Sequence, residues 1–386
     1  MAAQSSSEKL IGVILVACIL VSLAVANSAA SDFFFMIMHA DIPIGIGDLK
    51  LEKTLEHWIN DGLMSIFFLL AGLEIKREIL KGELSGFRKA ALPVIAAIGG
   101  MLIPALIFSS FNWGKATSHG WAIPMATDIA FAIGIMALVG KAAPQPLKIF
   151  LIALAIVDDI GAILVIAIFY SSTIDYQYLL YAILLLGVLL AANRYGIGHL
   201  WFYLIPGILL WFFVYKSGIH STISGVLLAM TIPLETKSGK RPLVILEHHL
   251  LQPVYFVVLP LFVLVNTAIV LKADAISQVI SPVGFGILFG LIIGKPMGVL
   301  LFSWAGVKAR LAQLPGSVSI MQLTGAGFLA GIGFTMSIFI ALLSFEDKLQ
   351  HDVSKMAILM ASALAAITGF LILKIYSDKS KLVNDL

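Results

Sequence analysis

The stretch Leu147 to Tyr170, LKIFLIALAIVDDIGAILVIAIFY, constrains this chain more than any other. It is apolar and, as a helix, long enough to cross a bilayer. Its middle nevertheless carries two adjacent carboxylates, Asp158 and Asp159. At about 1.5 Å per residue the pair lies roughly 17 Å from Leu147, about half of a ~30 Å hydrocarbon core. Acids at that depth are costly, and an intramembrane charge marks a functional site by default.

The rest of the chain has the same character. Of 386 residues, 60% are hydrophobic and 12% charged, about half the charge of a soluble domain, so a polytopic membrane protein is expected. A net charge of +3 with no basic patch interleaved with aromatics argues against nucleic acid as a partner. The single cysteine, Cys18, leaves no intrachain disulfide and no thiolate metal site. Lys9, the apolar run after it and Ala24-Val25-Ala26 imitate a cleavable signal peptide, and Leu15 to Cys18 imitates a lipoprotein box. The apolar run continues past the cysteine, so a retained first transmembrane helix is expected.

Apolar windows separated by polar or Pro/Gly punctuation give twelve candidate spans. They lie near residues 10–29, 58–80, 90–110, 120–140, 147–170, 177–193, 200–215, 217–233, 250–271, 283–306, 319–344 and 354–376. Connections are short, so residues 1–386 form a single transmembrane domain. The termini and the even-to-odd connections hold 17 of the 25 Lys and Arg residues, which puts both termini in the cytoplasm. In the external connection between spans one and two, Ile42 to Leu51 alternates apolar residues around Gly47-Asp48, the pattern of a small β-hairpin, with an irregular loop as the alternative.

Two spans look interrupted. Pro124 precedes Thr127-Asp128 in the fourth, and Gly331 and Gly333 precede Phe334-Thr335 in the eleventh. Irregular backbone survives at membrane depth only inside protein or around water, and paired interruptions point to a transporter binding site. Close packing through small residues would also explain the glycines, but the paired positions, each one helix from a buried charge, favour discontinuous helices. Among the 22 acids only Asp128, Asp158 and Asp159 lie deep inside spans, and among the basic residues only Lys295 does. Neighbours on a helix point about 100° apart, so one of Asp158 and Asp159 is free to neutralise Lys295 while the other faces an aqueous cavity.

A carboxylate is a hard oxygen ligand for a small alkali cation or a proton, and burial brings carboxyl protonation into the physiological range. One acid cannot hold Na+ and H+ together, so competition at a site open alternately to each side suffices for antiport. A buried pair that only fixes helix packing would account for Lys295 and one acid, not for three. Asp61 reads as an interfacial or capping residue, and His220 as a hydrogen-bonded helix residue. Glu74 and Glu78, on one helix face, read as solvated cytoplasmic charges or as a cation-collecting mouth. Glu247-His248-His249 precedes the ninth span, where a histidine could sense pH.

These residues give the chain a close resemblance to the NhaA family of bacterial Na+/H+ antiporters. It is carried by Trp58 to Asp61, Gly72 to Glu74, Pro93 to Gly100, Ala122 to Phe131, Ala155 to Gly161, Lys216 to Thr222, Gly294 to Gly298 and Gly331 to Ile340. The resemblance implies twelve helices, with helices 3–5 (about 90–170) and 10–12 (about 283–376) as inverted repeats and helices 4 and 11 interrupted. It implies Asp159 as the main cation ligand and Asp158 exchanging between Lys295 and an ion or proton, with Thr127 and Asp128 where the extended chains cross. It further implies electrogenic extrusion of Na+ or Li+ against inward H+, activation at alkaline pH through Glu74, Glu78, Glu247 and His248, and a homodimer joined at the hairpin in the bacterial inner membrane. No cofactor is implied. One departure concerns pH control: the two basic residues expected before Leu246-Glu247-His248 are Val244 and Ile245 here.

Other readings fit less well. An intramembrane aspartyl protease needs two intramembrane aspartates, and Gly45-Ile46-Gly47-Asp48 spells its GxGD signature, but Asp48 sits in a polar loop and no Tyr-Asp motif lies in a span. A proton-coupled carrier of an organic solute would need buried amides or aromatics for a larger ligand. A passive channel would need a ring-lined filter.

Overall fold

The computed structural model describes residues 2–44, 51–140, 143–171, 173–271, 278–314, 316 and 318–384. Its helices, in chain order, are α1 (Ala2–Ala26), α2 (Ser31–Met38), α3 (Met64–Lys81), α4 (Phe87–Asn112), α5 (Ile129–Val139), α6 (Gln145–Phe169), α7 (Tyr176–Tyr195) and α8 (Trp201–Lys216). There follow α9 (Ile223–Thr231), α10 (Pro242–Pro253), α11 (Leu259–Asn266), α12 (Pro282–Phe289), α13 (Lys295–Lys308), α14 (Ile320–Ala330), α15 (Phe334–Ser344) and α16 (Lys348–Asn384). Among the described residues, eight helical stretches are long and apolar enough to cross a membrane, nine when α14 and α15 are taken as one bent span. The chain is therefore a multi-pass membrane protein.

Strands β1 (Asp41–Ile44) and β2 (Leu51–Thr54) pair antiparallel, with Asp41 opposite Thr54 and Ile44 opposite Leu51. The Gly45 to Lys50 part of the expected hairpin, with Asp48, lies outside the described residues. Ahead of the pair, where the sequence suggested only loop, the apolar run at Phe33 to Met38 folds into α2.

Two departures from the expected spans bear on function. The first half of the fourth span, Ala116–Met125, is a 3-10 helix rather than an α-helix. The helical run expected to begin near residue 250 begins at Pro242, so Glu247 and His248 lie inside a helix rather than ahead of it. Proline suits a first helical turn, where its missing N–H has no partner to lose. Three π-turns, Trp58–Leu63, Val254–Val258 and Gly290–Gly294, interrupt otherwise α-helical spans. A π-turn adds a residue to the turn and re-aims every side chain beyond it.

The chain forms two compact units. One comprises Met1–Val16, Glu83–Ala162 and Leu271–Leu386, and the other Ala17–Gly82 and Ile163–Val270. In the first, α4 and α13 approach at Gly99 and Gly298, where a Cβ on either glycine would strike the backbone of the other. Lipid provides no hydrophobic drive between helices, so such small-residue contact is what holds them. It sets the start of α13, and with it Lys295, against α4. The second unit packs Leu69, Leu73, Leu189, Tyr203, Leu210 and Leu246 into its own apolar core.

Candidate functional site

Asp158 and Asp159 lie in the middle of α6, 1% and 4% exposed. Asp158 Oδ2 accepts hydrogen bonds from Lys295 Nζ at 2.7 Å and from Thr127 Oγ1 at 2.7 Å. The Lys295 ammonium also donates to the Met125 carbonyl at 2.5 Å. Neither member of the ion pair has any side-chain exposure. Of the two acids, Asp158 is the one that forms the ion pair with the lysine, and Asp159 follows it about 100° further round the helix. Asp158 Oδ1 is buried and accepts no hydrogen bond among the described residues.

Lys295 reaches this position through local backbone. The π-turn Gly290–Gly294 directly precedes it, and Pro296 occupies the first turn of α13. Gly290 lies so close to Pro124 that a Cβ would meet the proline ring at 2.6 Å. The lysine is therefore fixed against the segment that offers it the Met125 carbonyl.

The second half of the site is built from two breaks. After Met125 the chain turns extended, and helix resumes only at Ile129. Between Ala330 and Phe334 the chain again leaves the helix, and α14 and α15 meet at 44°. Broken helices expose N–H and C=O groups that hydrocarbon cannot satisfy, so the breaks satisfy each other. Asp128 N donates to Ile332 O at 2.7 Å, and Thr127 Oγ1 lies 2.8 Å from Ala330 O. Asp128 Oδ1 accepts from Phe131 N at 3.1 Å, capping α5. Its Oδ2 accepts from Thr335 N at 3.0 Å and also from Thr335 Oγ1, capping α15. One buried carboxylate thus faces the positive ends of two half-helices, which is where a helix dipole favours negative charge. Ser337 Oγ donates to Ile123 O at 2.7 Å, a further tie across the crossing. Gly333 is the residue from which α15 departs.

All the residues singled out at mid-depth, Thr127, Asp128, Asp158, Asp159, Lys295, Pro124, Gly333 and Thr335, belong to the same unit. Thr127 joins the two halves, because its hydroxyl is within hydrogen-bond distance of both Asp158 and Ala330. The sequence did not reveal the carbonyls of Met125, Ala330 and Ile332, since a backbone acceptor has no letter of its own.

Glu74, Glu78, Glu247 and His248 are all in the other unit. There Arg77 Nε lies 3.1 and 3.0 Å from the two Glu247 carboxylate oxygens, while its Nη1 lies 2.7 Å from Glu78 Oε1. Glu78, one of the two acids expected to be solvated, is accordingly ion-paired, and so is Glu247, with side chains 13% and 11% exposed beside a 38% exposed Arg77 side chain. Glu74 is half-buried one helical turn before Glu78. His248 is exposed and lies edge-on to His249 with ring centroids 6.3 Å apart. Val244 and Ile245 are exposed on the same helix. In the connection after α9, Lys81 and then Arg241 hold the Glu235 carboxyl below its ordinary value, with Lys81 Nζ 2.7 Å away. Asp61 lies within a π-turn, 3.8 Å from His220 Nε2, and His220 stands before α9 rather than in a helix, its Nδ1 2.8 Å from Thr222 Oγ1.

Residues 3–373 match the family model described as Na+/H+ antiporter 1. The chain is 50% identical over 371 residues to the Na+/H+ antiporter NhaA 2 of Flavobacterium johnsoniae, covering 96% of this chain and 91% of that one. It is 47% identical over 379 residues to NhaA of Flavobacterium psychrophilum, covering 98% and 96% of the two chains. With NhaA 1 of Clostridium beijerinckii the identity is 45% over 379 residues, covering 97% and 95%.

Proposed function

The chain belongs to the Na+/H+ antiporter family, and from that premise we propose that it exchanges Na+ for H+ at Asp158 and Asp159 by alternating access. It is a transporter and not an enzyme. The observation that carries the site assignment is the fully buried Asp158–Lys295 pair beside a second buried acid.

A lysine and a carboxylate neutralise each other, so the pair is stable without an ion. When Na+ arrives, Asp159 receives it as the principal ligand, and Asp158 leaves Lys295 to share the charge. When Na+ departs, protons or the lysine take its place. Thr127 sits beside Asp158 and supplies a further oxygen for a small cation. Asp128 and Thr335 keep the two half-helix ends in register while the site opens to one side and then the other. Li+, a similarly hard cation, uses the same ligands. More protons than Na+ pass in each cycle, which makes the exchange electrogenic and lets inward H+ flow extrude Na+.

The architecture we assign has twelve spans, with residues of about 90–170 and 283–376 as inverted repeats within one transporter domain. The gathering of these segments into one compact unit supports that arrangement. The protein is placed in the bacterial inner membrane with both termini cytoplasmic, as a homodimer joined through the β1–β2 pair. Glu74, Glu78, Glu247 and His248 respond to cytoplasmic pH. With Val244 and Ile245 in place of a basic pair, the pH profile is displaced, and installing Lys at both positions should move it. An unmoved profile would remove those two positions from pH control.

Everted vesicles holding a preformed ΔpH test the function. Added Na+ or Li+ should dissipate the gradient, and absence of any response at every pH from about 6.5 to 9, a window that spans neutrality and the alkaline side, would refute the exchange.

A further inference from the structure

At the start of α15 two backbone N–H groups point away from their own helix. Thr335 N goes to Asp128 Oδ2, as described above. Phe334 N donates to Ser362 Oγ on α16, at 3.2 Å. Both residues are buried, Phe334 at 2% and Ser362 at 5% exposure. Asp128 already accepts from Phe131 N, Thr335 N and Thr335 Oγ1. The Ser362 hydroxyl is thus the partner that spares the carboxylate a fourth donor at one crowded end.

We propose that Ser362 is a positioning residue for ion exchange, fixing the broken end of α15 and through it the oxygen set around Asp158. The connection is short and continuous. Phe334 follows the turn at Gly331–Gly333, and one carbonyl just before that turn and one within it, Ala330 O and Ile332 O, hold Thr127 Oγ1 and Asp128 N. Thr127 Oγ1 in turn lies on Asp158 Oδ2. Phe334 also stacks edge-on against Phe131 of α5, with ring centroids 4.6 Å apart, so a shift at Phe334 is felt by both half-helices. Remove the hydroxyl and a buried N–H loses its acceptor, which a hydrocarbon-depth site does not tolerate. The turn then moves to satisfy it, and the Thr127 hydroxyl moves with the turn. The ligand oxygens are displaced while the acids that exchange protons remain.

The inference rests on Na+/H+ exchange as the activity. Its test compares the half-saturating Na+ concentration with the maximal exchange rate in vesicles. Ser362→Ala and the near-isosteric Ser362→Cys, whose sulfur is a weak acceptor, are measured beside Ser354→Ala. Ser354 is on the same helix, also buried, and its hydroxyl has no hydrogen-bond partner among the described residues, so it reports the cost of simply losing a buried hydroxyl. Both Ser362 variants should raise half-saturating Na+ about 3- to 10-fold, the effect of one lost buried hydrogen bond, with the maximal rate within about twofold of wild type. Ser354→Ala should leave both unchanged. Half-saturation unaltered in Ser362→Cys, or raised equally in Ser354→Ala, would overturn the positioning role. A wild-type protein that fails to exchange in the same vesicles would instead overturn the function.

Discussion

Two charged regions of this molecule solve the same problem differently. At Asp158 and Lys295 both side chains are wholly shut off from solvent, and the lysine is held by a carboxylate and a backbone carbonyl together. At Arg77, whose side chain is 38% exposed, the guanidinium is shared by Glu78 and Glu247 near the end of α3. A buried pair is costly to create and costlier to break, because the survivor is left as an uncompensated charge. A partly exposed pair is screened by water and salt, and contributes little to stability. In the proposed exchange the buried region is therefore the one whose occupancy an ion would switch, and the exposed one would only bias when that switch operates.

The largest expected effect is at Asp159, the proposed principal cation ligand. Asp159→Asn keeps size and shape but removes the charge a cation needs, so exchange should vanish while the protein still inserts and purifies as a folded species. Retention of wild-type exchange in vesicles would remove Asp159 from the site. Next comes Lys295→Met, which strands the Asp158 carboxylate. Unfolding in detergent should become easier by about 3–5 kcal/mol, and adding Asp158→Leu should restore most of that loss. A double variant no more stable than Lys295→Met would show that the two residues are not coupled.

A smaller effect is expected at the crossing of the breaks. Thr335→Val deletes one donor to Asp128 but leaves the backbone donor in place, so it should cost about 1–3 kcal/mol, with Thr335→Ser near neutral. Equal losses for Val and Ser would mean that packing rather than the hydroxyl matters there. Smallest of all should be Arg77→Ala. After allowance for its exposure, the change in stability should be about 1 kcal/mol and should shrink further in high salt, whereas the pH profile of exchange should move. A large, salt-independent destabilisation would erase the distinction between the two regions.

The sequence exposed the buried site more readily than its construction. Apolar windows interrupted by Asp128, Asp158, Asp159 and Lys295 are visible because charge is rare at that depth. Pro124 and the glycines at 331 and 333 likewise announced the breaks. What remained hidden depends on residues far apart in the chain. Asp128 caps α15 from 207 positions away, and Lys295 meets Asp158 across 137. Nothing in the local pattern at Asp128 says that its two oxygens serve two helices. The π-turn before Lys295 was equally illegible, since Gly290–Gly294 reads as ordinary apolar helix and its close neighbour Pro124 is distant in sequence. Glu78 read as solvated for a related reason: the Arg77 that pairs with it also pairs with Glu247, 170 positions from that arginine.

The central claim is that Na+ and H+ compete for the same buried carboxylates, and calorimetric titration of the purified protein with Na+ tests it most directly. Binding should release protons to the buffer, and the Na+ dissociation constant should rise by up to about tenfold for each unit the pH falls, for each proton displaced. Asp159→Asn should show neither heat nor proton release. Na+ binding with an affinity independent of pH, or without proton release, would contradict the account.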